Sequence, residues 1–155
     1  MQVVEIERGA AQAYIDTYFG RYPGVAKYMA DTRVQAKEQG YVETIFGRRL
    51  WLPEIRSANG MKRQGAERAA INAPMQGTAA DLIKLSMIAV QKWLETSHLK
   101  SKMLLQVHDE LVLEVPVDEV DIVKQELTRL MTTVATLRVP LEVGIGIGNN
   151  WEEAH

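Results

Sequence analysis

The sequence predicts an α+β fold in which helices pack on a small antiparallel sheet. Three patterns support this. Apolar residues recur at helical spacing between Arg8 and Gln39 and again from Gly60 to Glu95. The stretch LLQVHDELVLEV, Leu104 to Val115, places two apolar runs around a short polar tip, as a hairpin does. Near the end, LEVGIGIG alternates Leu141, Val143, Ile145 and Ile147 with Gly144, Gly146 and Gly148, which is strand periodicity.

The elements follow in order. Arg8 to Tyr22 carries Tyr14, Ile15, Tyr18 and Phe19 as the apolar stripe of a first helix. Pro23 suits the first turn of a second helix, which runs to Gln39 and is capped by Gly40. YVETIFGRRLWLP then predicts two short strands around a turn at Phe46–Gly47, ended by Pro53. An Ala-rich helix begins near Gly60, and Pro74 is expected to interrupt it because proline clashes with the carbonyl four residues earlier. A further helix is expected from about Thr78 to Glu95, with Leu82, Leu85, Ile88, Ala89 and Trp93 inward. Strands Met103–Val107 and Leu111–Val115 form the hairpin, and after Pro116 a helix places Val120, Val123, Leu127, Leu130, Met131 and Val134 on one side. In the final strand, a glycine face implies the close approach of another backbone.

Composition excludes several classes. A chain of 155 residues, 46% apolar and 25% charged, fits one globular domain or one piece of a larger one. No apolar run approaches the ~20 residues of a membrane span, so no membrane partner is expected. MQVVEIERGA lacks the basic and apolar regions of a signal peptide. The absence of Cys excludes disulfides and thiolate zinc sites and agrees with a cytoplasmic setting. The net charge of −2 conceals a segregation. Arg48, Arg49, Arg56, Lys62, Arg63 and Arg68 stand against Glu54 and Glu67, whereas the later run from Asp109 to Glu126 has seven acidic residues against Lys124. That is the asymmetry of an anion site beside a cation site, and solvated surface would produce it too.

Two constellations carry possible chemistry. The tip His108-Asp109-Glu110 sets adjacent carboxylates at the end of an apolar ribbon with no Gly or Asn to turn it. A divalent cation would relieve their repulsion, and hard Mg²⁺ prefers such oxygens; an exposed turn whose acids do nothing is the alternative. In ERAAINAPMQGTAAD, Arg68, Asn72 and Gln76 fall at steps of four among small alanines. Their donors suit the minor groove, where acceptors lie at nearly the same place for every base pair; a solvated polar stripe has the same pattern. His98 and His155 are read as incidental. No Gly-x-Ser-x-Gly motif supports nucleophilic chemistry, and no helix follows GIGIGNN to make it a phosphate loop.

YVETIFGRRLWLP, ERAAINAPMQGTAADLIK and QVHDELVLEVP, in this order along the chain, closely resemble the C-terminal part of the bacterial family A DNA polymerases, from about Ala11 onward. The resemblance implies part of a polymerase palm plus adjoining fingers helices, with the hairpin as its metal-binding element. Residues 1–155 would form a single partial domain, 1–40 on the fingers side and 41–155 on the palm side. Asp109 resembles the metal-binding carboxylate, Glu110 its catalytic neighbour and His108 a residue beside the primer terminus. Arg68, Asn72 and Gln76 match family positions that contact the primer–template duplex, and Arg48 and Arg49 lie in a segment resembling one near the DNA backbone. The implied activity is template-directed addition of deoxynucleotides to a primer 3′ end by two-metal phosphoryl transfer, with Mg²⁺ as cofactor and primer–template DNA and deoxynucleoside triphosphates as partners.

The family's second metal-binding Asp and its nucleotide-binding fingers helix come from earlier segments. Asp16, Asp31 and Asp81 lie in helix patterns that match other parts of the family. The chain alone is therefore expected to be inactive, to need the N-terminal polymerase portion as partner, and to self-associate through an exposed sheet edge. A non-catalytic duplex-DNA-binding module and an inert folding fragment are the alternatives.

Overall fold

Proline and glycine set the first boundaries. A computed structural model describes residues 7–154. The first six residues of the MQVVEIERGA stretch and the incidental His155 lie outside the described residues. Helix α1 spans Arg8–Arg21 and α2 spans Pro23–Gln39, with Pro23 at the start of α2 and Gly40 in left-handed conformation (φ 81°) at its end. The Gly40 N–H donates to the Ala36 carbonyl at 2.8 Å, closing the last turn. Strands β1, Tyr41–Glu43, and β2, Arg49–Trp51, pair antiparallel with Val42 opposite Leu50. Between them Gly47 takes φ 80°, and the Thr44 hydroxyl accepts from the Phe46 and Arg48 N–H groups. Pro53 ends β2 and opens a short 3-10 turn, Pro53–Arg56.

Helix α3 runs unbroken from Gly60 to Ser97. The Asn59 side chain accepts from the N–H groups of Met61 and Lys62, satisfying orphan donors of its first turn. The expected interruption at Pro74 does not occur: Pro74 lies inside the helix. An interior proline costs about 3 kcal/mol, and packing of the flanking turns offsets it. The chain divides into two compact units, up to Met75 and from Gln76, and α3 contributes to both.

In the first unit Ala36, Val42, Leu52, Ile55 and Ala70 form the buried cluster, with Ala66, Ala69 and Ala73 against it. These small side chains let α2, β1 and α3 approach closely. The Tyr28 hydroxyl donates to the Ile71 carbonyl at 3.0 Å, and Lys37 pairs with Glu67 at 2.8 Å. Helix α1 buries no residue. Tyr18 of its stripe instead makes ring contacts with Phe19 and with Tyr22, the residue that caps the helix.

In the second unit β3, Lys102–Val107, pairs antiparallel with β4, Glu110–Glu114, and α4 spans Val120–Thr132. Val90, Leu94, Val123 and Leu127 are buried, and Trp93, Met103, Leu111, Leu113 and Ile145 pack on them. The inward face of this half of α3 is thus Ser86, Val90 and Leu94, whereas Leu85 and Ile88 are exposed. The α+β class holds, with the sheet material of the described residues in two two-stranded sheets. Residues 141–148 form no strand, although Leu141, Val143 and Ile145 keep an alternating, half-buried pattern; no described strand offers them a ladder. Among the described residues no helix is long and apolar enough to cross a membrane.

Glu119 ties this unit together across a long sequence gap. Its carboxylate accepts from the Lys100 N–H at 2.9 Å, the Ser101 N–H at 2.9 Å and the Ser101 hydroxyl at 2.5 Å. The backbone donor of Lys100, then the Ser101 hydroxyl, hold its carboxyl below the ordinary value of 4.5. A depressed folded-state value stabilises the fold above the unfolded value and loses that contribution as pH falls through the folded one. Glu119→Gln should therefore melt lower than the parent at pH 7, with the gap closing as pH drops below about 4.5. Thermal melts between pH 7 and pH 3 measure this, and a gap independent of pH would remove the charge from the explanation.

Candidate functional site

The hairpin turn is tighter than the three-residue tip expected. Val107 pairs with Glu110, leaving only His108 and Asp109 as the loop. Two-residue hairpin loops favour Gly or Asn because positive φ is needed. Here His108 adopts φ 52°, a left-handed conformation that costs a side-chain-bearing residue roughly 1–2 kcal/mol. The Gln106 side-chain amide donates to the His108 carbonyl and braces the turn. Strain of this kind concentrates where the placement of a side chain matters.

Cross-strand pairing decides which way the tip residues face. Leu111 and Leu113 pack on the core, so alternation turns Glu110 and Val112 to the other face. The register shifts between Met103 and Leu105, leaving Leu104 as the extra residue of a bulge. The bulge lets Met103 and Gln106, three residues apart, sit opposite core-facing Leu113 and Leu111. His108, Asp109 and Glu110 are all exposed. The hairpin thus brings two carboxylates and an imidazole to one tip, and its apolar face fixes them there.

Arg68, Asn72 and Gln76 lie on α3 and are exposed. Arg68 and Asn72 belong to the first unit, one helical turn apart; Gln76, at the same step, is the first residue of the second. The rest of the basic run is largely committed to the fold. The Arg56 guanidinium donates to the Lys37 and Glu38 carbonyls at the end of α2, at 2.6 and 2.7 Å. Arg63 donates to the Ser57 carbonyl at 2.8 Å, Lys62 reaches Glu54 at 3.5 Å, and Arg49 pairs with Glu43 at 2.7 Å over the Tyr41 ring. Sequence reasoning missed these anchors, since each joins residues whose proximity only the fold creates. The acidic run is likewise partly structural: Glu119 clamps the start of β3, and Glu126 pairs with Arg129 at 2.7 Å.

The fit of a divalent cation follows from this donor set. Asp109 and Glu110 supply oxygens of the right hardness for Mg²⁺. Among the described residues, however, no group of three or more His, Cys, Asp or Glu is gathered so as to hold a metal ion. The tip has the right donor chemistry, but two adjacent carboxylates do not by themselves show a metal-binding hairpin.

A profile of DNA polymerase family A matches residues 1–153, and the chain belongs to that family. It is 61% identical over 152 residues to DNA polymerase I of Pseudomonas aeruginosa, an alignment covering 98% of this chain and 17% of that protein. DNA polymerase I of Mycobacterium leprae is 46% identical over 151 residues, covering 97% and 17%. The chain therefore spans about a sixth of the length of these curated relatives. Among solved structures, the POL domain of Pol1 from M. smegmatis, in complex with DNA primer-template and dNTP, matches with a TM-score of 0.93 at 44% identity, covering 96% of this chain and 26% of that one. The α+β arrangement is accordingly that of a polymerase domain.

The strained turn is directly testable. Glycine relieves the left-handed penalty but adds backbone entropy of roughly 0.5–1 kcal/mol to the unfolded chain. His108→Gly should therefore stabilise the chain slightly, by up to about 1 kcal/mol. Urea unfolding measures it, and a clear loss of stability would show that the imidazole itself holds the turn.

Proposed function

We propose that the chain is the C-terminal portion of a template-directed DNA polymerase that adds deoxynucleotides to a primer 3′ end. Family membership across residues 1–153 carries this reading, and the exposed, braced His108–Asp109–Glu110 tip supports it. All 155 residues belong to one partial domain, residues 1–40 on the fingers side and 41–155 on the palm side, working in the cytoplasm.

The roles follow from chemistry. Asp109 is the metal-binding carboxylate and Glu110 its catalytic neighbour, with the remaining donors supplied by the rest of the polymerase. Mg²⁺ held by Asp109, with Glu110 beside it, would supply two-metal stabilisation of the charge that develops in phosphoryl transfer. His108, projected from a turn of fixed φ, stands beside the primer terminus. Arg68, Asn72 and Gln76 face the minor groove, where their donors meet acceptors common to all base pairs. The ligands named for the Pol1 domain, primer-template and dNTP, are the partners proposed here.

Because the tip lacks a full donor set, this polypeptide alone should not extend a primer, while the complete polymerase should. In the complete protein Asp109→Ala should lower extension by roughly 10²–10³-fold or more, the scale of one lost electrostatic stabiliser, with primer–template binding retained. Primer extension and DNA titration in parallel decide the matter: near-normal extension by the variant removes Asp109 from the metal site.

A second reading, a duplex-binding module without catalysis, draws on the exposure of Arg68 and Asn72. It requires salt-sensitive DNA affinity in this chain with no catalytic consequence of Asp109→Ala in any context. A flat DNA titration would favour an inert folding fragment instead.

Exposed Leu85, Ile88, Leu104 and Leu105 give the second unit an apolar surface that the N-terminal polymerase portion covers. Alone, the chain should self-associate through its exposed sheet edge, and this apolar surface favours it. Light scattering should show mass rising with concentration, and a constant monomer mass at high concentration would contradict this.

A further inference from the structure

We propose that the C-terminal turn, Asn149 to Ala154, is a latch that holds the glycine segment Gly144–Gly148 in place and, through Ile145, steadies the β3–β4 hairpin. This inference is independent of any polymerase activity.

Glu153 is the bolt of the latch. Its Oε2 accepts from the Asn149 N–H at 2.9 Å and the Asn149 side-chain amide at 3.0 Å, and its Oε1 accepts from the Asn150 side-chain amide at 2.8 Å. In return the Glu153 N–H donates to the Asn150 side-chain oxygen at 3.0 Å, and the Ala154 N–H donates to the Asn150 carbonyl at 3.2 Å. Each bond is solvent-exposed and individually modest. Together they close one six-residue turn from both directions.

The turn folds back onto glycines that have no side chain to resist it. A Cβ at Gly148 would lie 2.5 Å from the Glu153 Cβ and 2.7 Å from the Ala154 nitrogen, and one at Gly146 would overlap the Ala154 carbonyl. A Cβ at Gly144 would meet nothing within 4 Å. The close approach implied by the glycine face is therefore made by the chain's own terminus, at two of the three positions. Between them and the core stands Ile145, packed on the cluster that also carries Met103, Leu111 and Leu113 of the hairpin. Residues 141–148 have no ladder hydrogen bonds of their own, so side-chain packing and the latch hold them.

Hydrogen exchange on the full 155-residue chain tests the proposal. Gly146→Ala and Gly148→Ala should speed exchange at the Asn149, Glu153 and Ala154 amides and at the β3–β4 ladder amides. The expected change is roughly two- to tenfold, the scale of one lost hydrogen bond. Gly144→Ala should match the parent. Glu153→Gln, which keeps the shape but sets an amide against the Asn149 and Asn150 amides, should produce the same pattern. That variant decides the question if the glycine variants do not fold. Unchanged exchange in the turn would mean there is no latch; faster exchange in the turn alone, with the hairpin unmoved, would overturn the link through Ile145.

Discussion

Whatever the hairpin tip does depends on the apolar bed beneath it. A two-stranded hairpin alone is marginal in water, and this one is laid on Val90, Leu94, Val123 and Leu127 through Met103, Leu111 and Leu113. Fully burying such a side chain contributes about 1.5–3 kcal/mol, so a few of them offset a strained His108 at roughly 1–2 kcal/mol. The charged residues lie beyond the bed, where water solvates them. Burying two adjacent carboxylates would cost several kcal/mol each; leaving them exposed avoids that cost. The apolar face supplies position, and the polar tip stays in solvent.

The same accounting explains α3. Proline inside a helix removes a hydrogen bond and crowds the preceding turn, yet α3 passes through Pro74 without ending. On one side Ala70 and Ile71 are buried, on the other Val90 and Leu94. Helical stability in proteins comes mainly from such packing rather than from propensity, so the local penalty is outweighed wherever both flanks are anchored. Arg68 and Asn72 consequently sit on helix before Pro74, and Gln76 on helix after it.

Local chemistry was legible, and long-range placement was not. Pro23, Gly40, Gly47 and Pro53 mark boundaries because their backbone limits act at their own positions. The hairpin was visible in its alternation, and its acids stood out by type. The conformation of His108 was not visible, since histidine is no usual turn residue; the signal available was the matched alternation of the strands, which leaves room for only two loop residues. Of the residues expected inward near Val90, Trp93 packs on the core while Leu85 and Ile88 are exposed, because apolar residues surround that stretch and define no single stripe. Leu141 to Ile145 carries strand periodicity without strand pairing, because a ladder needs a partner that no local pattern supplies. Glu119 reaches Lys100 and Ser101 across a gap that no spacing rule covers.

Charge counting was the least reliable guide, for a physical reason. A guanidinium is a fork of donors as well as a cation. Arg56 spends that fork on the two carbonyls that end α2, and Arg63 on the Ser57 carbonyl. Both still contribute long-range potential, but neither is free to reorient toward a groove without unfastening a helix end. The basic segment therefore divides its labour, with Arg56 and Arg63 fastening backbone while the exposed Arg68 projects from the helix surface. The segregation of sign along the chain reports where charge is concentrated; only the hydrogen bonds reveal which of those charges the fold has committed.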